Sequence, residues 1–262
     1  MRTLVFDLDG TLLNGAHQLS AETIDVLNQI RTRGVTVLLA SGRSTESMLP
    51  YYNQLQLSTP LISYNGARIL YPDGRVTESR LEAEIVPLLV HLSRRLSCHL
   101  NLYGDGLWYS EAPESEEAVR YGRLAGLTVT PVAPKDFPHL SAIKGLLIAS
   151  PEQLHRARGA LESSTLYQRF ALTSSMPRFL EVLPRGVNKG VALQEVLSTL
   201  GLSSDEVIAF GDGLNDLELL TVAGRGVAME NAHAALKACA DECAPRHDED
   251  GIARYLRQLY SI

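Results

Sequence analysis

Apolar positions along the first eighty residues alternate between two periods. The run Thr3-Leu4-Val5-Phe6 predicts a strand over 2–7. Ile24, Leu27 and Ile30 then recur at helical spacing, with Ser20 placed to cap and Gly34 to end a helix over 20–33. VTVLLA predicts a strand over 35–40 that is apolar throughout, as strands covered on both faces are. A helix near 44–56 follows, and Pro50 within it predicts a late start or a bend. PLISY predicts strand 60–64, and ARILYPDGRVTES predicts a hairpin turning at Pro72-Asp73-Gly74.

From about 82 to 185 the rhythm changes. Short strands (CHLNLY, LWYS, IKGLLIAS, RFLEVLP) mix with helices over 82–97, 114–125 and 151–163. After Gly186 the first pattern returns: helix 189–200 ended by Gly201, strand 206–210, helix 214–223 ended by Gly224, strand 225–229 and a last helix over about 250–260. Alternating strands and helices predict an α/β class, a Rossmann-like three-layer core with a parallel sheet. The core is expected to use residues 1–81 and 187–262, with an α+β domain inserted over 82–186. Hinges are expected near 80–83 and 184–188.

Composition narrows the partners. The net charge is −6 without a basic stripe, which disfavours nucleic acid. No apolar run approaches the roughly 20 residues of a membrane helix, and the N-terminus lacks the pattern of a signal peptide. Cys98, Cys239 and Cys243 make an odd count without metal spacing, which points to reduced thiols and a cytoplasmic setting. Cys239 and Cys243 are spaced to share a helix face. Oligomeric state is not legible.

Four apolar strands end in small and polar residues: VFDLDGT, LLASGR, ISYNGA and IAFGDGLND. Open α/β sheets bind ligands outside the carboxyl ends of their strands. Asp7, Asp9, Ser41, Asn65, Asp212, Asn215 and Asp216 are therefore expected to converge on one sheet edge. Carboxylates gathered there would repel one another without a cation, and hard oxygen donors suit Mg²⁺ accompanied by phosphate. Asp9, two residues after Asp7, is expected to leave the strand on the same side. An EF-hand is excluded because its sixth and twelfth positions would be Leu12 and Gln18. A second DxDG at 248–251 follows no apolar strand and reads as a solvated loop.

Residues 7–11 also resemble the DxDGT nucleophile motif of the haloacid dehalogenase (HAD) superfamily. Ser41 in ASGR, Lys189 in NKG and GDGLND at 211–216 agree with it in order, and the mid-chain insertion is similar to the cap of Cof-like class IIB phosphatases. The resemblance implies the HAD fold with a cap that selects the ester. It implies a Mg²⁺-dependent phosphatase of small phosphorylated metabolites, in which Asp7 attacks phosphorus and Asp9 is general acid and base. The implied metal ligands are Asp7, the Asp9 carbonyl and Asp212, with Asp216 orienting Asp212 or a metal-bound water. Implied phosphate donors are the Leu8 N–H, the Ser41 hydroxyl, the Gly42 N–H, Lys189 and Asn215.

Several readings stay open at this point. The substrate is a sugar phosphate or a cofactor phosphate such as pyridoxal phosphate. A phosphomutase shares both acids, and a sugar-phosphate-binding regulator shares the fold but is expected to lack a catalytic group. Asp9 disfavours a dehalogenase. Arg43 either contacts phosphate or makes a structural ion pair. Tyr103, Trp108 and Tyr109 either stack on a substrate or belong to the core or surface.

Overall fold

The strands Thr3–Phe6 and Val207–Gly211 are each buried at every residue. They lie side by side at the centre of a sheet, where neighbours take both backbone edges and helices take both faces. The computed structural model describes residues 2–262. Its eight-stranded sheet runs in the order Glu242–Ala244, Arg225–Met229, Val207–Gly211, Thr3–Phe6, Thr36–Ala40, Leu61–Ser63, Arg68–Leu70 and Val76–Glu78. The first six strands are mutually parallel, and Arg68–Leu70 returns antiparallel. The class is α/β, as the alternating pattern predicts.

Register decides where the polar strand ends arrive. Phe6 pairs with both Phe210 and Leu39, and Ala40 pairs with Ile62. Asp7, Gly211, Ser41 and Ser63 therefore emerge close to one level. The rings of Phe6 and Phe210 stack 4.8 Å apart just beneath that edge. Burying each contributes about 1.5–3 kcal/mol.

Helix ends follow local signals. Ser20 caps Ala21–Thr32 by accepting from Thr23 N, and Asn188 caps Lys189–Leu200 by accepting from Val191 N. Gly201 ends that helix with φ +66°. Ala21–Thr32 packs on Gly251–Tyr260, and Lys189–Leu200 on Leu217–Val222.

The structure corrects several expectations. Pro50 does not delay its helix, which runs Thr45–Gln54 because Ser44 caps it and Ser47 Oγ donates back to the Ser44 carbonyl. The helix expected over 214–223 is a 3₁₀ turn, Leu214–Asp216, followed by Leu217–Val222. Cys239 ends the short helix Ala234–Cys239 whereas Cys243 lies in the edge strand Glu242–Ala244, so the two share no helix face.

Residues 78–187 form a second compact unit; the chain up to Thr77 and Asn188–Ile262 form the first. The second unit has its own six-stranded sheet, ordered Phe170–Thr173, Phe179–Pro184, Lys144–Ile148, His99–Gly104, Leu107–Ser110 and Thr130–Pro131. Helices Ile85–Leu96 and Pro151–Glu162 bury Leu89, Leu154 and Leu161 with Leu100, Leu102, Leu147 and Val182. Tyr103 and Trp108, candidates for stacking on a substrate, are buried with their ring edges against Tyr121. They are core aromatics; Tyr109 is partly buried against the unit's apolar cluster. Among the described residues, no helix is long and apolar enough to cross a membrane.

Candidate active site

The first strand stops at Phe6, and the chain turns at once. Asp7 is extended (φ −67°, ψ 165°), and residues Leu8–Leu12 wind into a wide turn broken by Asp9 and Gly10. Gly10 has φ +77°, and a Cβ there would lie 2.3 Å from Asp212 Oδ2. Glycine is required both for the left-handed backbone and for the close approach. The strand ends at Phe6, so Asp7 and Asp9 take their directions from this turn rather than from strand alternation. Asp7 points to Lys189, and Asp9 points to Arg43 and His17.

The turn is held from the far side of the sequence. Asn231 Nδ2 donates to the Gly10 carbonyl at 2.8 Å and Asn231 Oδ1 accepts from His247 N at 3.1 Å. His247 Nδ1 donates to the Leu13 carbonyl at 2.8 Å. Neither residue is foreseen from the sequence. A signal was present, since strand Arg225–Met229 also runs into polar residues, Glu230 and Asn231.

Around Asp7 the charges are crowded. Lys189 Nζ, fully buried at the start of its helix, donates to Asp7 Oδ1 at 2.5 Å and to Asp216 Oδ1 at 2.6 Å. Asp216 Oδ2 accepts from the N–H groups of Asp212 and Gly213, each at 3.0 Å. One Asp216 oxygen thus shapes the loop while the other holds Lys189. Thr11 Oγ1 donates to Asp212 Oδ1 at 3.3 Å. One oxygen each from Asp7, Asp212 and Asp216 lie within 4.8 Å of one another.

Three carboxylates facing one ammonium is an unstable balance. Burial drives the Asp7 pKa well above the usual carboxylate range; Lys189 opposes this, and Asp216 and Asp212 reinforce it. Asp212 is pushed up to about 7, first by burial and then by Asp216, against Lys189 and the Thr11 hydrogen bond. Burial works against the Lys189 charge, but Asp216 and Asp7 together hold it above the ordinary lysine value. The donors are hard oxygens whose excess negative charge the chain leaves uncompensated, and that combination fits a divalent cation such as Mg²⁺.

Asp9 is the opposite case. Arg43 grips it with two bonds, Nε to Oδ2 and Nη2 to Oδ1, both 2.6 Å, and His17 Nδ1 lies 3.0 Å from Oδ1. Burial favours the neutral acid, yet these hydrogen bonds outweigh it and hold Asp9 well below the usual range. Of the two readings of Arg43, the structure shows the ion pair.

The expected phosphate donors stand around the same edge. Leu8 opens the turn after Asp7 and is buried. Ser41 is buried at the end of Thr36–Ala40; its Oγ accepts from Arg43 N at 3.3 Å, which leaves the hydroxyl proton for another acceptor. Gly42 follows it. Asn215 Nδ2 donates to Asn65 Oδ1 at 2.9 Å, and both are buried. Asn65, which alone reads as a turn residue, sits at φ +56° with its side chain in this network. Asparagine tolerates that backbone better than most residues. The second DxDG directly follows His247, in the turn before the last helix, where Arg246 is paired to Asp248.

Comparison with known proteins places this architecture. The chain matches the haloacid dehalogenase-like hydrolase family over residues 4–256. It is 30% identical over 269 aligned positions to the 5-amino-6-(5-phospho-D-ribitylamino)uracil phosphatase of Bacillus subtilis, covering 99% of this chain and 97% of that one. It is 32% identical over 259 positions to an HMP-PP phosphatase of Serratia proteamaculans, covering 98% and 94%. A haloacid dehalogenase-like hydrolase from Bacteroides thetaiotaomicron shares its fold with a TM-score of 0.88 at 30% identity, over 98% of this chain and 99% of that one. The chain belongs to the haloacid dehalogenase-like hydrolases, among which the curated relatives it matches at 30% identity or more are phosphatases.

Proposed function

We propose that the chain hydrolyses phosphate monoesters of small metabolites in two displacements, with Asp7 as nucleophile. In the first, an Asp7 oxygen bonds to phosphorus as the ester P–O bond breaks, and Asp9 gives a proton to the leaving oxygen. In the second, water attacks the aspartyl-phosphate, Asp9 takes the water's proton, and Asp7 is regenerated. The pairing with Arg43, which holds Asp9 well below the usual carboxylate range, favours the ionised form that the second displacement needs. Lys189, the Ser41 hydroxyl, Asn215 and the Leu8 and Gly42 N–H groups would hold the phosphoryl oxygens.

Asp7, Asp212 and the Asp9 carbonyl would hold Mg²⁺, which when bound supplies the positive charge that lets a carboxylate approach an anionic phosphoryl. Asp216, with both oxygens committed to the chain, positions Asp212 and Lys189. Residues 82–186 act as the cap that selects the ester. The relatives named above act, by their names, on a phosphoribitylamino-uracil and on HMP-PP. The same range, sugar phosphates and phosphate esters of cofactors or their precursors, is proposed here.

One observation supports this reading above the others: Lys189 Nζ lies 2.5 Å from Asp7 inside a cluster of surplus carboxylates. The test is release of inorganic phosphate from a panel of phosphorylated metabolites with Mg²⁺, ranked by kcat/KM. Chelator should abolish turnover, and Asp7→Asn should remove it. Turnover that ignores chelator, or survives Asp7→Asn, sinks the mechanism.

A further inference from the structure

Asp9 is held by two residues that do different things. Arg43 occupies both carboxylate oxygens, a geometry that serves the ionised form. His17 reaches Oδ1 alone. Since the ionised carboxylate only accepts, His17 Nδ1 carries the hydrogen in that bond. Oδ1 thus receives two donors and Oδ2 receives one. With two donors on Oδ1 and one on Oδ2, the acceptor position left open is on Oδ2.

The chain goes to some length to place this imidazole. His17 has φ +55°, an uncommon backbone state for a residue with a Cβ. A short loop enforces it. Asn14 N donates to the Gln18 carbonyl, and His17 N donates to the Asn14 carbonyl at 2.9 Å. Asn14 Oδ1 accepts from Ala16 N at 2.9 Å and Gln18 N at 3.0 Å. Tyr51 reaches across from helix Thr45–Gln54 and donates its hydroxyl to the His17 carbonyl at 2.9 Å. The Tyr51 ring also underlies the Arg43 guanidinium, 5.4 Å from its centroid.

We propose that His17 is the positioning residue of Asp9, anchoring Oδ1 through both displacements so that Oδ2 is the oxygen that gives and takes the proton. This rests on the reading of Asp9 as general acid and base. The role is a hydrogen bond from Nδ1 and does not require a charged imidazole. An asparagine at 17 places its Nδ2 near the position of Nδ1 and accepts a left-handed backbone, whereas glycine keeps the backbone and removes the donor.

The test compares leaving groups in the Mg²⁺-loaded enzyme. An alkyl phosphate needs its leaving oxygen protonated; p-nitrophenyl phosphate, with a good leaving group, needs this far less. His17→Gly should lower kcat/KM, which reports the first displacement alone, roughly tenfold on the alkyl ester and less than about twofold on p-nitrophenyl phosphate. His17→Asn should recover most of the alkyl-ester rate. Melting curves establish that each variant is folded. A His17→Gly enzyme whose kcat/KM falls equally for both esters, or for neither, overturns the proposal, as does failure of His17→Asn to recover. Asp9→Asn is the reference for the underlying reading. If it shows the same discrimination between esters while His17→Gly does not, only the positioning role fails. Without that discrimination in Asp9→Asn, the general-acid reading fails and the proposal goes with it.

Discussion

Lys189 shows how much one side chain can decide. It is fully buried and is the lone ammonium among three carboxylates. Lys189→Met would strand Asp216 and crowd Asp7 with uncompensated charge. Removing one partner of a buried pair costs about 3–5 kcal/mol, part of which Asp7 can relieve by taking a proton. A melting temperature lowered accordingly, together with loss of phosphatase activity, is expected. A variant as stable and active as the parent would show that the cluster does not depend on this charge. Gly10 is equally local. Gly10→Ala must displace the Asp212 carboxylate and adopt a left-handed backbone, so Mg²⁺ affinity measured by calorimetry should fall together with kcat.

At the scale of elements, the turn after the first strand is fixed by segments that never touch it in sequence. Asn231 and His247 tie down Gly10 and Leu13. Losing those bonds lets the nucleophile drift, and a misplacement near 1 Å can cost up to about a hundredfold. Asn231→Ala should therefore lower kcat between about tenfold and a hundredfold. Its effect on the melting temperature should be modest, in line with a net hydrogen-bond worth of about 1 kcal/mol each; an unchanged kcat would show that the turn holds its own shape. Helix ends were legible because their signals are local: Ser20 and Gly201 act within four residues of the ends they mark. The edge strand Glu242–Ala244 was not, since it is three residues long and its first two are exposed. Its identity comes from pairing with Arg225–Met229 rather than from its own pattern.

For the whole molecule, the acidic cluster should make metal binding a source of stability that depends on pH. The Asp212 carboxyl titrates near 7 when folded against an ordinary value of 3.8. Without metal, folding takes up a proton, and the stability that this confers is lost as pH rises from the ordinary value through about 7. Metal must displace that proton, so binding strengthens as pH rises. The gain in Tm on adding Mg²⁺ should grow from about pH 5 to about pH 8, read by melting curves with and without chelator. A gain independent of pH would mean that Asp212 is not a ligand. Long-range attraction contributes little here, because the net charge is −6 and the substrate is expected to be anionic.

The order of residues alone carries the alternation of strands and helices and the polar ends of the apolar strands. It does so because periodicity, capping and strand-end chemistry are properties of neighbours along the chain. It also supplies the DxDGT, ASGR, NKG and GDGLND stretches, and so the residues gathered around Asp7. Tertiary structure decided which of them touch. Asp9 turns to Arg43 and His17, Asn65 meets Asn215 and Asn231 holds Gly10. Those contacts depend on sheet register and on where a turn releases the backbone, and the order of residues alone carries neither distance.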